Sequence, residues 1–209
     1  STICCPSNPR SSSSPSSKTT PALFAATRGK SVAGPHTWEH YWRVIGWAAE
    51  VFGAARFGVH LIAGLGESER ELVETVQRVR DLGGQSHLFA FFPEQGSALQ
   101  TRPAVAPGPW RRVQLARFLI DFAGVRADAM RFDAAGRITD FALTQTELDA
   151  LIATGKPFRT SGCPGPDDAE ISACNRPYGD SPPSAIRSYP FPLQNSDMTR
   201  VIGELRQQD

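Results

Sequence analysis

A short apolar segment that ends in two closely spaced glycines leaves this 209-residue chain few ways to fold. Residues 57–63 predict a buried strand, and Gly64 and Gly66 predict a sharp turn at its end. Residues 68–84 then carry a capping box and apolar positions at helical spacing, and a second apolar segment, 86–92, follows. The order of strand, helix and strand, with apolar strands, predicts two parallel strands joined by a crossover helix.

Further helices are predicted before and after this unit along the chain. Aromatic and apolar residues recur at helical spacing over 38–52, with Thr37 as the N-cap and Gly53 after the last turn. Pro109 predicts the first position of a helix that runs to Phe122. Further elements are predicted after residue 125, namely a hairpin over 131–141, a helix from the capping box at 144–147 to Gly155, and a helix over 197–207.

Composition and charge exclude several classes of protein. The 22 Lys and Arg residues nearly balance the 21 Asp and Glu residues, whereas dedicated nucleic-acid and membrane-surface binders need a basic excess. The sequence has no apolar run long enough to predict a membrane span, and the Ser-rich first twenty residues do not resemble a signal peptide. Four cysteines are too few for a disulfide scaffold, so we expect a reducing, cytoplasmic compartment.

The sequence divides into three regions. Residues 1–27 have low complexity and are predicted to be a disordered tail, either a genuine one or the product of a truncated or mistranslated start. Residues 28–124 hold the predicted α/β unit. Residues 125–209 form a C-terminal extension, in which the Pro-rich stretch 156–192 carries two cysteines.

Two motifs in the α/β unit resemble those of a known superfamily. Ile62, Gly64 and Glu67 have the Ile-x-Gly-x-x-Glu spacing of the fifth barrel strand of radical S-adenosylmethionine (SAM) enzymes. The stretch 93–99 is similar to the sixth-strand Pro-x-x-Gly-Thr-x-Leu pattern of the biotin synthase branch, with Ser97 in place of Thr. A wider resemblance, to archaeal-type two-component lipoyl synthases, rests on Arg28-Gly29, Gly34-Pro35-His36-x-Trp38, Tyr41-Trp42, 111–117, 160–166 and 174–178.

This resemblance implies an α/β fold that is the C-terminal part of a partial (β/α)6 TIM-like barrel. It implies SAM and a 4Fe–4S cluster as cofactors, and sulfur insertion of the lipoyl or biotin synthase type as the reaction. Ile62, Gly64 and Glu67 would then shape the SAM pocket, and Cys163 and Cys174 would be ligands of an auxiliary cluster. The implied partners are a second radical SAM subunit and a lipoyl-carrier protein or octanoyl substrate.

The chain departs from this family at the cluster motif. Cys-x-x-x-Cys-x-x-Cys is absent, and the adjacent Cys4 and Cys5 cannot replace it. We therefore expect only the second half of the barrel here, with no radical chemistry by this chain alone. An incomplete barrel leaves an open sheet edge, which predicts partner-dependent folding.

Other interpretations of the same residues stay open. The glycines can serve an ordinary strand-to-helix turn, and Cys163 and Cys174 can be structural or free thiols. A non-catalytic metal-binding or subunit-interaction module is then the alternative function. The stretch 36–40 matches the H-x-x-E-H pattern of zinc proteases, but Thr37 as N-cap would leave His36 outside the helix.

The sequence also predicts where several further side chains lie. His60 and His87 lie in the predicted strands, where a core position is favoured over a place in a barrel lumen. Arg187-Ser188-Tyr189 is similar to the C-terminal Arg-Ser-Ser-Tyr of ordinary lipoyl synthases, with one serine fewer. The following arginines are expected mostly on solvated helix faces: Arg78, Arg80, Arg111, Arg112 and Arg117.

Overall fold

The computed structural model describes the backbone of Ile3–Cys4 and residues 20–160, 181 and 183–207. In these residues the fold is mixed α/β, as expected, with two small sheets. The helices are α1 (Pro21–Thr27), α2 (Trp38–Phe52), α3 (Glu69–Asp81), α4 (Pro107–Phe122), α5 (Gln145–Ala153) and α6 (Asn195–Leu205). The strands are β1 (Ile3–Cys4), β2 (Gly58–Ala63), β3 (Gln85–Ala90), β4 (Arg131–Phe132) and β5 (Ile138–Asp140).

The predicted parallel pair is confirmed. β2 and β3 pair in parallel from Gly58 opposite Gln85 to Ala63 opposite Ala90, and α3 is the crossover helix between them. β1 pairs antiparallel with the other edge of β2, which gives the order β1-β2-β3. The turn after β2 and the loop after β3 therefore leave the sheet at the same edge, which we call the carboxyl edge.

The two faces of this sheet differ in burial. Every second residue of β2, from Val59 to Ala63, is buried, as are the residues opposite them in β3. This side packs against α3 and α4. The other side, which we call the open face, carries His60, Ile62 and Phe89, and these three side chains are only partly buried. The alternation is typical of a sheet with helices on one side.

Local sequence rules account for most helix ends. The Thr37 side chain caps α2 by accepting a hydrogen bond from the His40 backbone N–H, at 3.2 Å. The capping box at the start of α3 is also formed. α4 begins at Pro107, two residues before the predicted start at Pro109, because either proline fits the first turn of a helix. The predicted hairpin and the last two helices are confirmed.

The prediction of disorder is wrong for the last part of segment 1–27. Pro21–Thr27 forms α1, and Phe24 is 1% exposed. Its ring lies edge-on to Trp38 and Tyr41, with centroid separations of 5.7 and 4.9 Å. Burial of the Phe24 ring against α2 contributes to the ordering of this short helix.

Buried arginines, rather than apolar contacts alone, join the C-terminal extension to α4. Arg111 is 0% exposed, and its guanidinium donates hydrogen bonds to the Glu204 carboxylate at 2.7 Å and to the Arg187 carbonyl at 2.5 Å. Trp110 Nε1 donates to the same carbonyl at 2.7 Å. The expectation of solvated arginines is therefore wrong for Arg111, and also for Arg112 and Arg117, which are each 4% exposed. Arg111 and Arg112 receive partners from other elements of the fold, whereas Arg117 lies 4.0 Å from Asp121 on the same helix.

Arg112 has the same role toward the hairpin. Its guanidinium donates to both carboxylate oxygens of Glu69, with a shortest distance of 2.6 Å. One of these oxygens also accepts from the Ile138 backbone N–H at 2.8 Å. Glu69 thus joins the first turn of α3 to α4 and to β5.

Substitution of Glu69 by Gln will destabilise the protein by about 3–5 kcal/mol, because it leaves the buried Arg112 charge without its counter-ion. Urea unfolding followed by circular dichroism measures this loss. Glu74→Gln is the matched control, since Glu74 pairs with Arg70 on the exposed side of α3 and its loss will cost less than about 1 kcal/mol. Equal effects of the two substitutions would contradict the central place of Glu69.

Candidate functional site

The turn after β2 is held by the carboxylate of Glu67. One carboxylate oxygen accepts from the Gly64 N–H at 2.5 Å and the other accepts from the Leu65 N–H at 3.0 Å. Gly64 and Gly66 have φ values of +101° and +119°, which L side chains rarely adopt. The Ile-x-Gly-x-x-Glu spacing therefore builds a closed turn, in which Glu67 satisfies backbone N–H groups.

The loop after β3 covers this turn. A Cβ atom at Gly64 would lie 2.7 Å from the Cβ of Val105, and a Cβ at Gly66 would lie 3.4 Å from the guanidinium of Arg102. The space that the glycines leave is thus taken by the chain's own loop. The sequence indicated that small residues are needed here, but it did not identify Val105 and Arg102 as the neighbours, because both belong to a different segment of the chain.

Ile62 lies near the end of β2 on the open face, which also carries a cluster of rings. His60 lies edge-on to His87, with ring centroids 5.2 Å apart, and 4.9 Å from the ring of Phe89. A Cβ at Gly58 would collide with the His87 imidazole, so this glycine makes room for the ring. The half-buried Ile62 side chain, on the same face as these rings, offers an apolar surface at the carboxyl edge.

Burial and the neighbouring His87 lower the pKa of His60 from 6.5 to about 3. Loss of hydration disfavours the charged imidazolium, and a second imidazole adds repulsion. His60 is therefore neutral near pH 7 and gives the open face no positive charge.

The opposite end of β3 holds a buried carboxylate. Asp121 on α4 accepts a hydrogen bond from the Ser86 N–H at 3.1 Å, and a guanidinium nitrogen of Arg117 lies 4.0 Å away. Burial raises the pKa of Asp121 to about 6 against the opposing effect of Arg117. This group lies at the amino end of the strand, so it belongs to the scaffold rather than to the carboxyl edge.

The C-terminal extension returns to the carboxyl edge. The Arg187 guanidinium lies over the ring of Phe92, 5.4 Å from its centroid, just beyond the end of β3. Ser188 is buried, and its hydroxyl accepts from the Gln114 side chain at 3.2 Å. Tyr189 is 1% exposed beside it. The sequence carried no local signal for these contacts, because Gln114 and Ser188 are 74 residues apart.

The two cysteines predicted as cluster ligands, Cys163 and Cys174, lie outside the described residues. Within residues 20–160 and 183–207, no group of three or more His, Cys, Asp or Glu side chains is arranged to hold a metal ion.

The H-x-x-E-H stretch does not form one helical face. His36 precedes α2 and packs its ring edge-on to Tyr41, with centroids 5.9 Å apart. His40 lies on the helix and contacts Trp47, with centroids 6.2 Å apart. The two imidazoles have different neighbours, which argues against a zinc protease site here.

A recess of about 770 Å³ lies between the β4–β5 hairpin, α4, α5 and α6. Its lining includes the buried side chains of Leu115 and Ile138, together with Arg137 and Arg206. None of Ile62, Gly64 and Glu67 lines it. The recess is therefore separate from the site that the sequence predicts.

Comparisons with known proteins identify no relative. No model of a protein family matches the chain, nor does any curated protein or solved structure match it significantly. Among the described helices, none combines the length and apolar character that a membrane crossing requires.

Replacement of Glu67 by Ala will open the turn, because it leaves the N–H groups of Gly64 and Leu65 without acceptors. We expect a loss of about 1–3 kcal/mol in the free energy of unfolding, together with faster hydrogen exchange at these two amides. Glu94→Ala, on the exposed loop after β3, is the control. Unchanged hydrogen exchange at the amides of Gly64 and Leu65 would contradict the role of Glu67 in closing the turn.

The His60 imidazole will stay neutral to about pH 4, as its pKa of about 3 requires. The unfolded chain takes up this proton near pH 6.5 and the folded chain does not, so His60 lowers stability as the pH falls from about 6.5 towards 3. NMR titration of the ring measures the pKa directly. As the pH falls from about 7 to 4, the wild type will also lose stability relative to His60→Gln. The same pH dependence of stability in the two proteins would contradict the low pKa of His60.

Proposed function

We propose that this chain is the C-terminal part of a partial (β/α)6 barrel of the radical SAM type, close to the lipoyl and biotin synthases. Its carboxyl edge contributes one wall of a SAM pocket. Because the chain lacks the Cys-x-x-x-Cys-x-x-Cys motif, the rest of that site comes from another polypeptide segment or a second radical SAM subunit.

One observation carries this proposal. The two segments that resemble the fifth and sixth barrel strands lie side by side and in parallel, so their terminal motifs meet at one edge. In parallel α/β folds, ligands bind where strands end at their carboxyl termini. Had the two segments been separated or antiparallel, the resemblance would have no structural support.

The distribution of helices supports the same interpretation. α3 and α4 pack on one side of the sheet, as helices on the outside of a barrel do. The open face, with Ile62 and Phe89, then corresponds to the interior of the barrel. Its half-buried apolar side chains suit either a ligand or the remaining strands as cover.

The described residues fit the two implied cofactors unequally. For SAM, Ile62 offers an apolar contact to an adenine ring, while Gly64 and Glu67 act through the geometry of the turn. For an iron–sulfur cluster, the described residues supply no ligand set. In this proposal Cys163 and Cys174 hold an auxiliary cluster, an assignment that rests on the resemblance alone.

SAM supplies the hydrogen-abstraction chemistry when it is bound in enzymes of this type. The residues of this chain position it and exclude water. Glu67 keeps the turn closed, Ile62 contacts the ligand, and the 93–105 loop covers the turn. A lipoyl-carrier protein or an octanoyl group is the implied substrate.

Substitution of Ile62 by Asp tests the pocket. Equilibrium dialysis of the full chain against labelled SAM will show weak binding, which Ile62→Asp reduces about tenfold or more, equivalent to at least about 1.4 kcal/mol. Leu82→Asp is the control, because Leu82 is a partly exposed apolar residue at the end of α3, far from the carboxyl edge.

Two outcomes would reject the proposal. The first is equal loss of binding in both variants when circular dichroism shows intact folding. The second is an absence of SAM binding by the folded wild type, which would favour the non-catalytic interaction module instead.

A further inference from the structure

The outward face of α2 is apolar at its centre. Trp47 is 50% exposed and Val51 is 74% exposed, whereas Ile45 and Ala48 on the opposite side are buried. The buried side of α2 faces the rest of the protein, where the Arg78 guanidinium of α3 lies 3.7 Å from the centroid of the Trp42 ring. The exposed indole thus lies on the side of the helix that no described element covers.

Trp47 is held in place on this surface. The His40 ring lies edge-on to it from about two turns earlier on the helix. Gly46 adjoins it, and no atom lies within 4 Å of the position that a Cβ at Gly46 would take. The outward face therefore pairs a protruding aromatic ring with a shallow depression.

Two opposite charges flank this centre. Arg43 and Glu50 are exposed and lie about two turns apart, so they share one helical face, on either side of Gly46 and Trp47. Within the part of the chain that the structure describes, neither side chain has an ion pair or a hydrogen bond. Both charges are therefore available to a partner.

We propose that the outward face of α2 binds the same face of a second copy of this chain. The two helices run antiparallel about a twofold axis near Gly46 and Trp47. Arg43 of each copy then meets Glu50 of the other, and each Trp47 covers the Gly46 of the other. This inference is independent of the proposed function.

The charge pattern selects a second copy and this orientation. A twofold interface must be complementary to itself, and a pair of opposite charges placed symmetrically about the axis meets that condition. A parallel arrangement would bring Arg43 against Arg43 and Glu50 against Glu50, and it would align the two helix dipoles unfavourably. One helix pair buries less area than the roughly 800 Å² per partner of a stable complex, so we expect a dissociation constant on the order of micromolar.

Charge reversal on the full chain tests the dimer. Sedimentation velocity over a range of concentrations will show a reversible monomer–dimer equilibrium for the wild type. Arg43→Glu and Glu50→Arg will each raise the dissociation constant about tenfold or more. An equimolar mixture of the two variants will recover dimers, because the glutamate introduced in the first then meets the arginine introduced in the second. Arg131→Glu, at a well-exposed residue of β4, is the control and will leave the equilibrium unchanged.

The mixture separates loss of the interface from loss of folding, since misfolded variants would not recover binding together. A wild type that stays monomeric at all concentrations overturns the proposal. This holds even if the same surface binds a different protein. Dimers that persist in both single variants also overturn it, because another surface would then be responsible.

Discussion

The buried ion pair between Arg112 and Glu69 joins three separate elements of the described structure. Glu69 begins α3, Arg112 lies on α4, and the Ile138 N–H that donates to Glu69 belongs to β5. A carboxylate removed from water is costly unless it is paired and hydrogen-bonded, and here both conditions are met. The same α4 helix uses Arg111 to hold α6 and the segment before it. Neighbouring arginines on α4 thus fasten the β4–β5 hairpin and α6, both in the C-terminal extension, to the pair of helices α3 and α4.

This anchoring also determines the shape of the carboxyl edge. Glu67 closes the turn and Glu69, close behind it in the chain, fixes the start of α3. The Val105 side chain fills the space over Gly64, and the Arg187 side chain covers the aromatic ring just beyond the end of β3. The loop after β3 therefore covers the turn, and the extension in turn covers the first part of that loop. The open face remains as the apolar surface on which the proposed SAM pocket depends.

The two sides of α2 differ in burial. Its buried side packs on α1 and α3 through aromatic rings, including the contact between Trp42 and Arg78. Its other side exposes a tryptophan between two charges that form no ion pair or hydrogen bond with the described residues. A second copy on α2 would leave the open face of the sheet accessible, because the two proposals use different surfaces.

Sequence rules alone were sufficient for the local features. The N-cap Thr37, the capping box of α3 and the parallel pairing of β2 with β3 follow from hydrogen-bonding patterns and apolar spacing within short stretches of the chain. The burial of Arg111, the cover over Gly64 and the helix at Pro21–Thr27 were decided by tertiary contacts. An arginine on a helix favours solvent by its charge, and it is buried only when carbonyls and a carboxylate from distant segments replace its water. Such partners lie 75 to 93 residues away for Arg111, a distance over which spacing along the chain carries no information.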